Sequence, residues 1–258
     1  MVKTPIFYYH SVGPAGPETL DIAIFKEHLT LIRELGFTPL SFQQLMEGRY
    51  PQGIRPLVLT FDDGLLDNYE NVLPLLVDYG YPASFFVVPG YDRVTRWVNP
   101  RTRQWSDTPQ SGFSLPFKSM QKQHRRAMLE CGMEIGSHSM THHKLNQLSA
   151  KQLEHEIGDS KKFLEDELGV AIPSFCYPMG RYNEAVIDCL QRAGYQGACT
   201  TIPGFYHASC APFECGRFIM KNVFWFRTIL HWVLEQAHWP EMLCRALYYP
   251  LSFKNRYL

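Results

Sequence analysis

Long apolar runs are missing from this 258-residue sequence: it has no stretch of about 18 consecutive apolar residues, the length that spans a membrane. The N-terminal segment also lacks the apolar core and small-residue cleavage site of a secretory signal peptide. The seven cysteines are odd in number, and no two have the C-x-x-C spacing of common zinc and redox motifs. We therefore expect reduced thiols and a cytoplasmic protein.

An excess of charge of either sign is also absent, because 25 Lys and Arg residues balance 25 Asp and Glu residues. This balance gives no reason to expect a nucleic-acid partner. Low-complexity segments are lacking too, and 45% hydrophobic with 19% charged residues is typical of a globular chain. The length fits one ordinary domain or two small ones.

Short apolar runs rich in Val, Ile, Phe, Tyr and Thr alternate with segments of helical periodicity. Such alternation predicts an α/β protein with parallel strands joined by helical crossovers. With seven units in one chain, a closed or nearly closed (β/α) barrel is favoured over an open sheet. The predicted strands cover residues 5–10, 56–61, 84–89, 134–138, 174–178, 197–201 and 216–220.

Two adjacent carboxylates follow the second predicted strand, in Thr60-Phe61-Asp62-Asp63-Gly64. Two buried, unpaired carboxylates would repel each other, and a metal cation removes that conflict. Glycine after them allows a sharp turn and the close approach of a ligand. The alternative is a plain acidic turn, because Asp-Gly is a common turn signal.

His138 and His142 follow another predicted strand, at a spacing of four residues. On a helical turn this spacing places both imidazoles on one face, where they can reach one ion, while His143 points away. Two histidines and one aspartate leave coordination positions open, as in catalytic sites, and the second aspartate can accept a proton from water. The alternative is a pair of solvated surface histidines.

Two further groups end predicted strands. His10 closes the first strand and could protonate a leaving amine, although a histidine at this place is also common in cores. Tyr177-Pro178-Met179 begins a turn that could aim a backbone N–H at an oxyanion, or could simply join a strand to a helix. All these groups fall at the carboxyl ends of strands, where parallel α/β barrels build their active sites.

These motifs resemble those of the polysaccharide deacetylase family, carbohydrate esterase family four. Thr60 to Gly64 matches its first motif, His138 to His142 its H-[ST]-x-x-H metal motif, and Phe175 to Gly180 its third motif. Residues 194–198 and Arg217 are also similar to the family pattern, and the likeness covers roughly residues 5–220. The resemblance implies a distorted seven-stranded (β/α) barrel and metal-dependent hydrolysis of an N-acetyl group.

The resemblance also implies roles for single residues. Asp62 would be the general base, and Asp63, His138 and His142 would hold a divalent metal. Zinc is the common ion of the family, with cobalt, nickel, manganese or iron as alternatives. The oxyanion would be stabilised at the Tyr177-Pro178-Met179 segment, by the backbone N–H of Met179.

The sequence departs from the family pattern at two places. Cys176 stands where the family has an arginine near the base, and Leu230-His231 lacks the spacer of the usual C-terminal Leu-x-His motif. The N-terminal Tyr9-His10-Ser11-Val12 is similar to biofilm poly-N-acetylglucosamine deacetylases, in which the order of the barrel strands is circularly permuted. That likeness implies that His10 is the catalytic acid.

The expected substrate is an N-acetylated amino sugar in a polysaccharide, an oligosaccharide or a lipid-linked glycan precursor. The alternatives are an amidohydrolase of another non-peptide C–N bond, such as a formamide or ureide, and a catalytically silent carbohydrate-binding domain. Residues 1–221 are predicted to form the barrel domain, and 222–258 an aromatic-rich helical extension with helices at 223–236 and 240–248. This extension could pack on the barrel or make peripheral contact with the inner face of the membrane.

Overall fold

The computed structural model describes residues 3–13, 19–92, 94–99, 105–106, 108, 111–112, 115–220 and 223–234. The described strands are β1 (Ile6–Tyr9), β2 (Ser11–Gly13), β3 (Thr19–Asp21), β4 (Thr38–Leu40), β5 (Pro56–Phe61), β6 (Ser84–Val87), β7 (Thr95–Val98), β8 (Trp105–Ser106), β9 (Leu115–Lys118), β10 (Glu134–Ser137), β11 (Ser174–Cys176), β12 (Gly197–Cys199) and β13 (Phe218–Ile219).

The described α-helices are α1 (Ile22–Glu34), α2 (Phe42–Glu47), α3 (Leu73–Tyr79), α4 (Lys122–Glu130), α5 (Ala150–Leu153), α6 (Ser160–Leu168), α7 (Glu184–Arg192) and α8 (Val223–Leu234). Two π-helical segments, Asn68–Val72 and Glu154–Asp159, lead into α3 and α6, and short 3₁₀ segments cover Pro89–Tyr91, Leu145–Gln147 and Pro178–Gly180. The predicted helix at 240–248 lies outside the described residues.

The main sheet is parallel throughout and has the strand order β12-β11-β10-β6-β5-β1-β13, with β4 pairing beside β5. All seven predicted strands are present in it. A parallel bridge joins Cys199, the last residue of β12, to Cys215 in the segment that leads into β13, so the two ends of the row come together and the sheet curves into a ring. The prediction of parallel strands in a nearly closed barrel is therefore confirmed, and β4 is the strand of this sheet that the sequence did not indicate.

Alternate residues of the barrel strands face two different layers. Phe7, Tyr9 and Phe61 pack in the large core between the strands and the surrounding helices. A smaller cluster inside the ring contains Val58, Phe86 and three cysteines, Cys176, Cys199 and Cys215. The six described cysteines, which also include Cys131, Cys189 and Cys210, are free thiols.

The short helix α2 covers the amino-terminal end of the ring. Phe42 and Leu45 join the inner cluster, and the Phe42 N–H donates to Ser84 Oγ at 2.7 Å, at the start of β6. Glu134, the first residue of β10, accepts hydrogen bonds from the Gln43 N–H at 2.9 Å and from Ser84 Oγ at 2.6 Å. Helix α2 therefore closes the amino-terminal end of the barrel. The opposite end, formed by the carboxyl ends of the strands, is left for a binding site.

The stretch 91–117, which the sequence indicated as irregular, contains a second sheet. Strands β7, β8 and β9 pair antiparallel in the order β8-β7-β9. A bridge between Leu65 and Ser119 ties the end of this insertion to the segment after β5. The strands are only two to four residues long, too short to show an alternating pattern, which explains why no β periodicity was visible.

Helix α8 packs on the outside of the barrel. The Phe226 ring lies 4.5 Å from that of Phe7 on β1 and stacks at 4.1 Å on the ring of His28 from α1. The described part of the predicted helix 223–236 is therefore helical, and the division at residues 221 and 222 stays a prediction. No helix among the described residues is long and apolar enough to cross a membrane.

Candidate active site and metal centre

Four segments predicted to carry the chemistry meet at the carboxyl ends of neighbouring barrel strands. Asp62 and Asp63 follow β5, His138 follows β10, His10 follows β1 and Tyr177 follows β11. These strands are adjacent or nearly so in the sheet. The structure therefore places all of the predicted site segments on one rim.

The turn after β5 depends on two consecutive left-handed residues, Asp63 with φ 72° and Gly64 with φ 64°. Glycine adopts this conformation without strain, whereas a residue with a Cβ pays a steric cost of roughly 1–2 kcal/mol. A Cβ at Gly64 would also lie only 3.0 Å from the Val87 side chain. This sharp turn points the Asp62 and Asp63 carboxylates in different directions, toward different partners.

Asp63, His138 and His142 form a compact cluster whose ligand atoms all lie within 4.8 Å of one another. Asp63 Oδ1 is 3.6 Å from His138 Nε2 and 3.4 Å from His142 Nε2. The same buried oxygen has no hydrogen-bond partner among the described residues. A buried carboxylate oxygen that faces two imidazole nitrogens fits a divalent cation, and two histidines with one carboxylate leave coordination positions open.

The His138 ring is held by the neighbouring strand. Its Nδ1 lies 2.8 Å from the carbonyl oxygen of Cys176, which can only accept, so Nδ1 carries the proton and Nε2 presents its lone pair to Asp63. Burial lowers the pKa of His138, which keeps the ring neutral near pH 7. Both features are those of a metal-ligating imidazole.

His142 reaches the cluster through a loop, and the predicted helical turn is wrong. Ser139 and His142 are both left-handed, with φ 65° and φ 61°, and the His142 N–H donates to Ser139 Oγ at 2.9 Å. Burial lowers the pKa of His142 to about 4. His143 lies outside the cluster, as predicted, but because it contacts Glu156 and Thr141 at the surface, not because a helix turns it away.

Arg96 from β7 is a residue of the site that sequence reasoning missed. Its Nη2 lies 3.4 Å from Asp63 Oδ2, and both side chains are buried. Burial alone would raise the pKa of Asp63, but Arg96 and then His142 outweigh it and hold that pKa well below its usual range. The two oxygens of Asp63 therefore have separate environments, one facing the histidines and one facing Arg96.

Asp62 is bound by a second buried arginine, Arg217, just before β13. Arg217 Nη1 and Nη2 donate to the two carboxylate oxygens at 2.8 Å each, and Nη2 also lies 3.0 Å from Cys176 Sγ. Burial acts to raise the pKa of Asp62, but the Arg217 charge and hydrogen bonds outweigh it and lower that pKa. The guanidinium that orients Asp62 thus comes from Arg217, next to the position that Cys176 occupies in place of the family arginine.

His10 lies at the mouth of the site and is partly exposed. It is near enough to both aspartates for its charge to contribute to lowering the pKa values of Asp62 and Asp63. Its carbonyl oxygen accepts a hydrogen bond from Asn68 Nδ2 at 2.8 Å, and its ring meets the Tyr8 ring edge-on. The structure therefore places His10 beside the metal cluster without making it one of the clustered ligands.

The segment from Tyr177 to Met179 offers one free backbone donor. The Tyr177 N–H donates to the Cys199 carbonyl at 3.1 Å, and Pro178 has no N–H. Met179 is left-handed with φ 55° and is 41% exposed, and its N–H meets no acceptor among the described residues. Of the three predicted residues, only Met179 can present an N–H to a ligand.

Comparison with known proteins agrees with this geometry. The model of the polysaccharide deacetylase family matches residues 49–198, a segment that includes Asp62, Asp63, His138, His142 and Met179 but neither His10 nor Arg217. A protein of Bacillus subtilis (strain 168), YxkH, provisionally named a polysaccharide deacetylase, is 28% identical over 207 residues, which are 78% of this chain and 66% of that protein.

Two further relatives have named activities. The peptidoglycan-N-acetylglucosamine deacetylase of Bacillus cereus is 35% identical over 57% of this chain and 56% of its own length. The poly-beta-1,6-N-acetyl-D-glucosamine N-deacetylase of Escherichia coli (strain K12) is 24% identical over 71% of this chain and 31% of its own length. The matches thus span about two thirds or less of each of these relatives.

Solved structures share the fold. The Streptococcus pyogenes deacetylase PplD in complex with acetate superimposes with a TM-score of 0.74 at 22% identity, covering 89% of this chain and 97% of that one. IcaB from Ammonifex degensii gives a TM-score of 0.74 at 20% identity, covering 90% and 97%. The predicted distorted (β/α) barrel is confirmed, while the circular permutation stays a prediction.

Proposed function

Because this chain belongs to the polysaccharide deacetylase family, we propose that it is a metal-dependent hydrolase that removes an N-acetyl group from an amino sugar. The membership confirms the resemblance seen in the motifs. The observation that carries the proposal is the cluster of Asp63, His138 and His142 beside the arginine-bound carboxylate of Asp62. A metal site next to a separate, ionised base is one arrangement that hydrolyses an unactivated amide, because the ion activates water and the carbonyl while the base accepts the proton.

Asp63, His138 and His142 would hold the metal. Zinc is proposed first because imidazole and carboxylate ligands suit it, with cobalt, nickel, manganese and iron as alternatives. When bound, such an ion polarises the substrate carbonyl and makes a water molecule more acidic. The unpartnered Oδ1 of Asp63 and the two neutral imidazoles support this assignment.

Asp62 is proposed as the general base. Water adds its oxygen to the acetyl carbonyl carbon, and the proton that it loses passes to the Asp62 carboxylate. The two hydrogen bonds from Arg217 fix the plane of the carboxylate and keep it ionised at neutral pH. Asp62 is therefore prepared to accept a proton before the substrate arrives.

His10 is proposed as the general acid and the Met179 N–H as the oxyanion donor. The C–N bond breaks as the amine nitrogen takes a proton from His10, which leaves acetate and a free amino sugar. The negative charge on the former carbonyl oxygen is stabilised by a backbone donor that is already oriented, as a free N–H on a left-handed turn provides. Both residues lie on the rim that holds Asp62.

The substrate is proposed to be a polysaccharide, an oligosaccharide or a lipid-linked glycan precursor that carries N-acetylglucosamine. The named relatives act on peptidoglycan and on poly-beta-1,6-N-acetyl-D-glucosamine, which supports an N-acetylated glycan without fixing the polymer.

The test is acetate release by zinc- or cobalt-loaded protein from a panel of N-acetylated substrates, with Asp62→Asn as the control. The panel runs from nucleotide-linked and lipid-linked monosaccharides to chitin oligomers and poly-N-acetylglucosamine. We expect release that disappears in Asp62→Asn while bound metal stays. Metal binding with no release from any member would favour another C–N substrate, which a formamide and ureide panel tests, or a silent carbohydrate-binding role.

We also propose a cytoplasmic location with peripheral contact at the inner face of the membrane. Phe224 on α8 is 70% exposed, next to Trp225, and such aromatic residues favour the membrane interface. Sedimentation with anionic liposomes tests the contact, with Phe224→Ser as the matched variant. Wild-type protein that stays in the supernatant, or cell fractions that place the protein outside the cytoplasm, would contradict this proposal.

A further inference from the structure

The loop that carries His142 is held in an unusual conformation. Between β10 and the following 3₁₀ segment, Ser139 and His142 both have positive φ although neither is glycine. Isolated left-handed residues persist only where the surrounding structure determines them. The direction of the His142 ring therefore depends on contacts from outside the loop.

Those contacts come from Glu156, in the π-helical segment Glu154–Asp159. Glu156 is 4% exposed, and its Oε2 accepts a hydrogen bond from the Thr141 N–H at 2.9 Å. Its Oε1 accepts a hydrogen bond from the Thr141 hydroxyl. The Glu156 carboxylate therefore accepts hydrogen bonds from both the N–H and the hydroxyl of Thr141, the residue that immediately precedes His142.

The backbone of Glu156 also forms a hydrogen bond with this loop. The Met140 N–H donates to the Glu156 carbonyl at 2.9 Å, and the Met140 carbonyl accepts from the Gly90 N–H at 2.8 Å on the other side. A Cβ at Gly90 would lie 2.5 Å from the Met140 oxygen, so this side has no space for adjustment. The loop is therefore fixed between Gly90 and Glu156.

The π-helical turn accounts for the position of Glu156. A π segment contains one more residue per turn than an α-helix, and such insertions change the direction of side chains and are frequent at functional sites. Glu154 to Asp159 interrupts an otherwise continuous helix between α5 and α6. The carboxylate of Glu156 is buried against the loop, whereas Asp159 in the same segment is exposed and pairs with His155.

We propose that Glu156 is a positioning residue that orients His142 toward the metal by fixing Thr141 and the left-handed loop. The inference rests on the proposed function only in taking Asp63, His138 and His142 as the metal ligands. Glu156 itself contacts neither substrate nor metal in this assignment. Groups that orient metal ligands typically change metal affinity by 10–100-fold when they are removed.

The test measures zinc and cobalt affinity by competition with a chelator, together with circular dichroism of the metal-free protein. We expect Glu156→Ala to lose about 10–100-fold in affinity, with native-like secondary structure and a changed visible spectrum of bound cobalt. Glu156→Gln should recover most of the affinity, because an amide can accept from the Thr141 N–H and donate to its hydroxyl. Asp159→Asn, in the same π segment, is the matched control and should bind metal as the wild type does.

A double-variant cycle separates positioning from general damage. Thr141→Val, which removes the hydroxyl donor and keeps the N–H donor, should lower affinity by itself, and its effect should largely vanish in the Glu156→Ala background, because the contact that it breaks is already lost there. Wild-type affinity and an unchanged cobalt spectrum in Glu156→Ala would overturn the proposal and leave the deacetylase function intact. If Glu156→Ala does not fold, wild-type affinity in Thr141→Val would overturn it instead.

Failure of the proposed function gives a different result. Wild-type protein that binds neither zinc nor cobalt would refute the metal assignment and this inference together. Metal binding that depends on Glu156, with no acetate released from any substrate, would support the inference while refuting the deacetylase.

Discussion

Arg217 donates one hydrogen bond to each carboxylate oxygen of Asp62, both at 2.8 Å, across 155 residues of sequence. The guanidinium is fully buried and is held further by Thr60 Oγ1 and the Thr200 carbonyl, each at 2.9 Å. A bidentate arginine–carboxylate pair fixes both the charge and the plane of the acid. Arg217, just before β13, therefore supplies the orienting guanidinium beside Cys176, the position at which the motif resemblance leads one to expect an arginine.

Replacing Arg217 by lysine should lower deacetylation without removing the metal. Lysine keeps the positive charge but cannot form the planar two-point contact, so the Asp62 carboxylate would turn away from the attacking water. A misplacement of about 1 Å can reduce turnover roughly 10²-fold, and we expect an effect of that order on kcat/KM. Acetate release and bound metal are measured on the same preparations.

The control for this prediction is the Asp62→Asn background. Arg217→Lys should add little to the loss caused by Asp62→Asn, because both changes act on the same base. Arg217→Lys protein with wild-type kcat/KM, or with its metal lost, would contradict the assigned role.

His10→Ala should leave metal binding intact and reduce turnover by about 10²–10⁴-fold, the usual contribution of a general acid or base. The reason is that His10 lies beside the ligand cluster but is not among its members. His207→Ala, which changes a histidine outside the cluster that contacts Ser209, is the matched control and should retain activity. Metal lost from His10→Ala would show that His10 has a ligand role instead.

The seven barrel strands and the rim that carries the site could be predicted from the sequence, because each strand is a compact apolar run ended by a polar motif. The pairing of His138 with His142 was also predicted, but for a wrong reason. Their spacing fits a helical turn, whereas the structure uses left-handed Ser139 and His142. Glycine and asparagine are the clear signals of that conformation in a sequence, serine is not one, and histidine is only a weak one.

The two arginines of the site show the limit of local patterns. Arg96 and Arg217 contact aspartates 33 and 155 residues away, so no periodicity connects each arginine with its partner. Arg217 was noticed only as part of a family likeness, and Arg96 lies in a stretch that the sequence indicated as irregular. Contacts of this kind are decided by the topology of the sheet, which brings distant strands together.

Asp67 should make the stability of the protein depend on pH between about 4 and 6. Burial raises the pKa of Asp67 to about 6, although the Ser11 hydroxyl donates a hydrogen bond to its carboxylate. An unfolded aspartate titrates near 3.9, so between these values the native state holds more protons than the unfolded state. Raising the pH through this window therefore destabilises the fold, and the penalty is complete above about pH 6.

Asp67→Asn removes that titration and should gain stability relative to the wild type as the pH rises from 4 to 7. A shift of this size corresponds to about 3 kcal/mol, and we expect about 1–2 kcal/mol because the side chain is partly exposed to solvent. Urea unfolding of both proteins at four pH values gives the difference. A difference that stays constant across the range would contradict the prediction.

Placing the family arginine at position 176 should be harmful unless Arg217 is removed as well. Cys176 Sγ lies 3.0 Å from Arg217 Nη2 inside the ring, so Cys176→Arg would bring two guanidinium groups to the single carboxylate of Asp62. An uncompensated buried charge typically costs about 3–5 kcal/mol. Cys176→Arg alone should therefore unfold at a clearly lower denaturant concentration, whereas Cys176→Arg with Arg217→Ala should recover stability and part of the acetate release.

Cys176→Ser, which preserves size, should change little. Full stability of Cys176→Arg alone would mean that the ring accommodates both cations and that Arg217 does not substitute for the family residue.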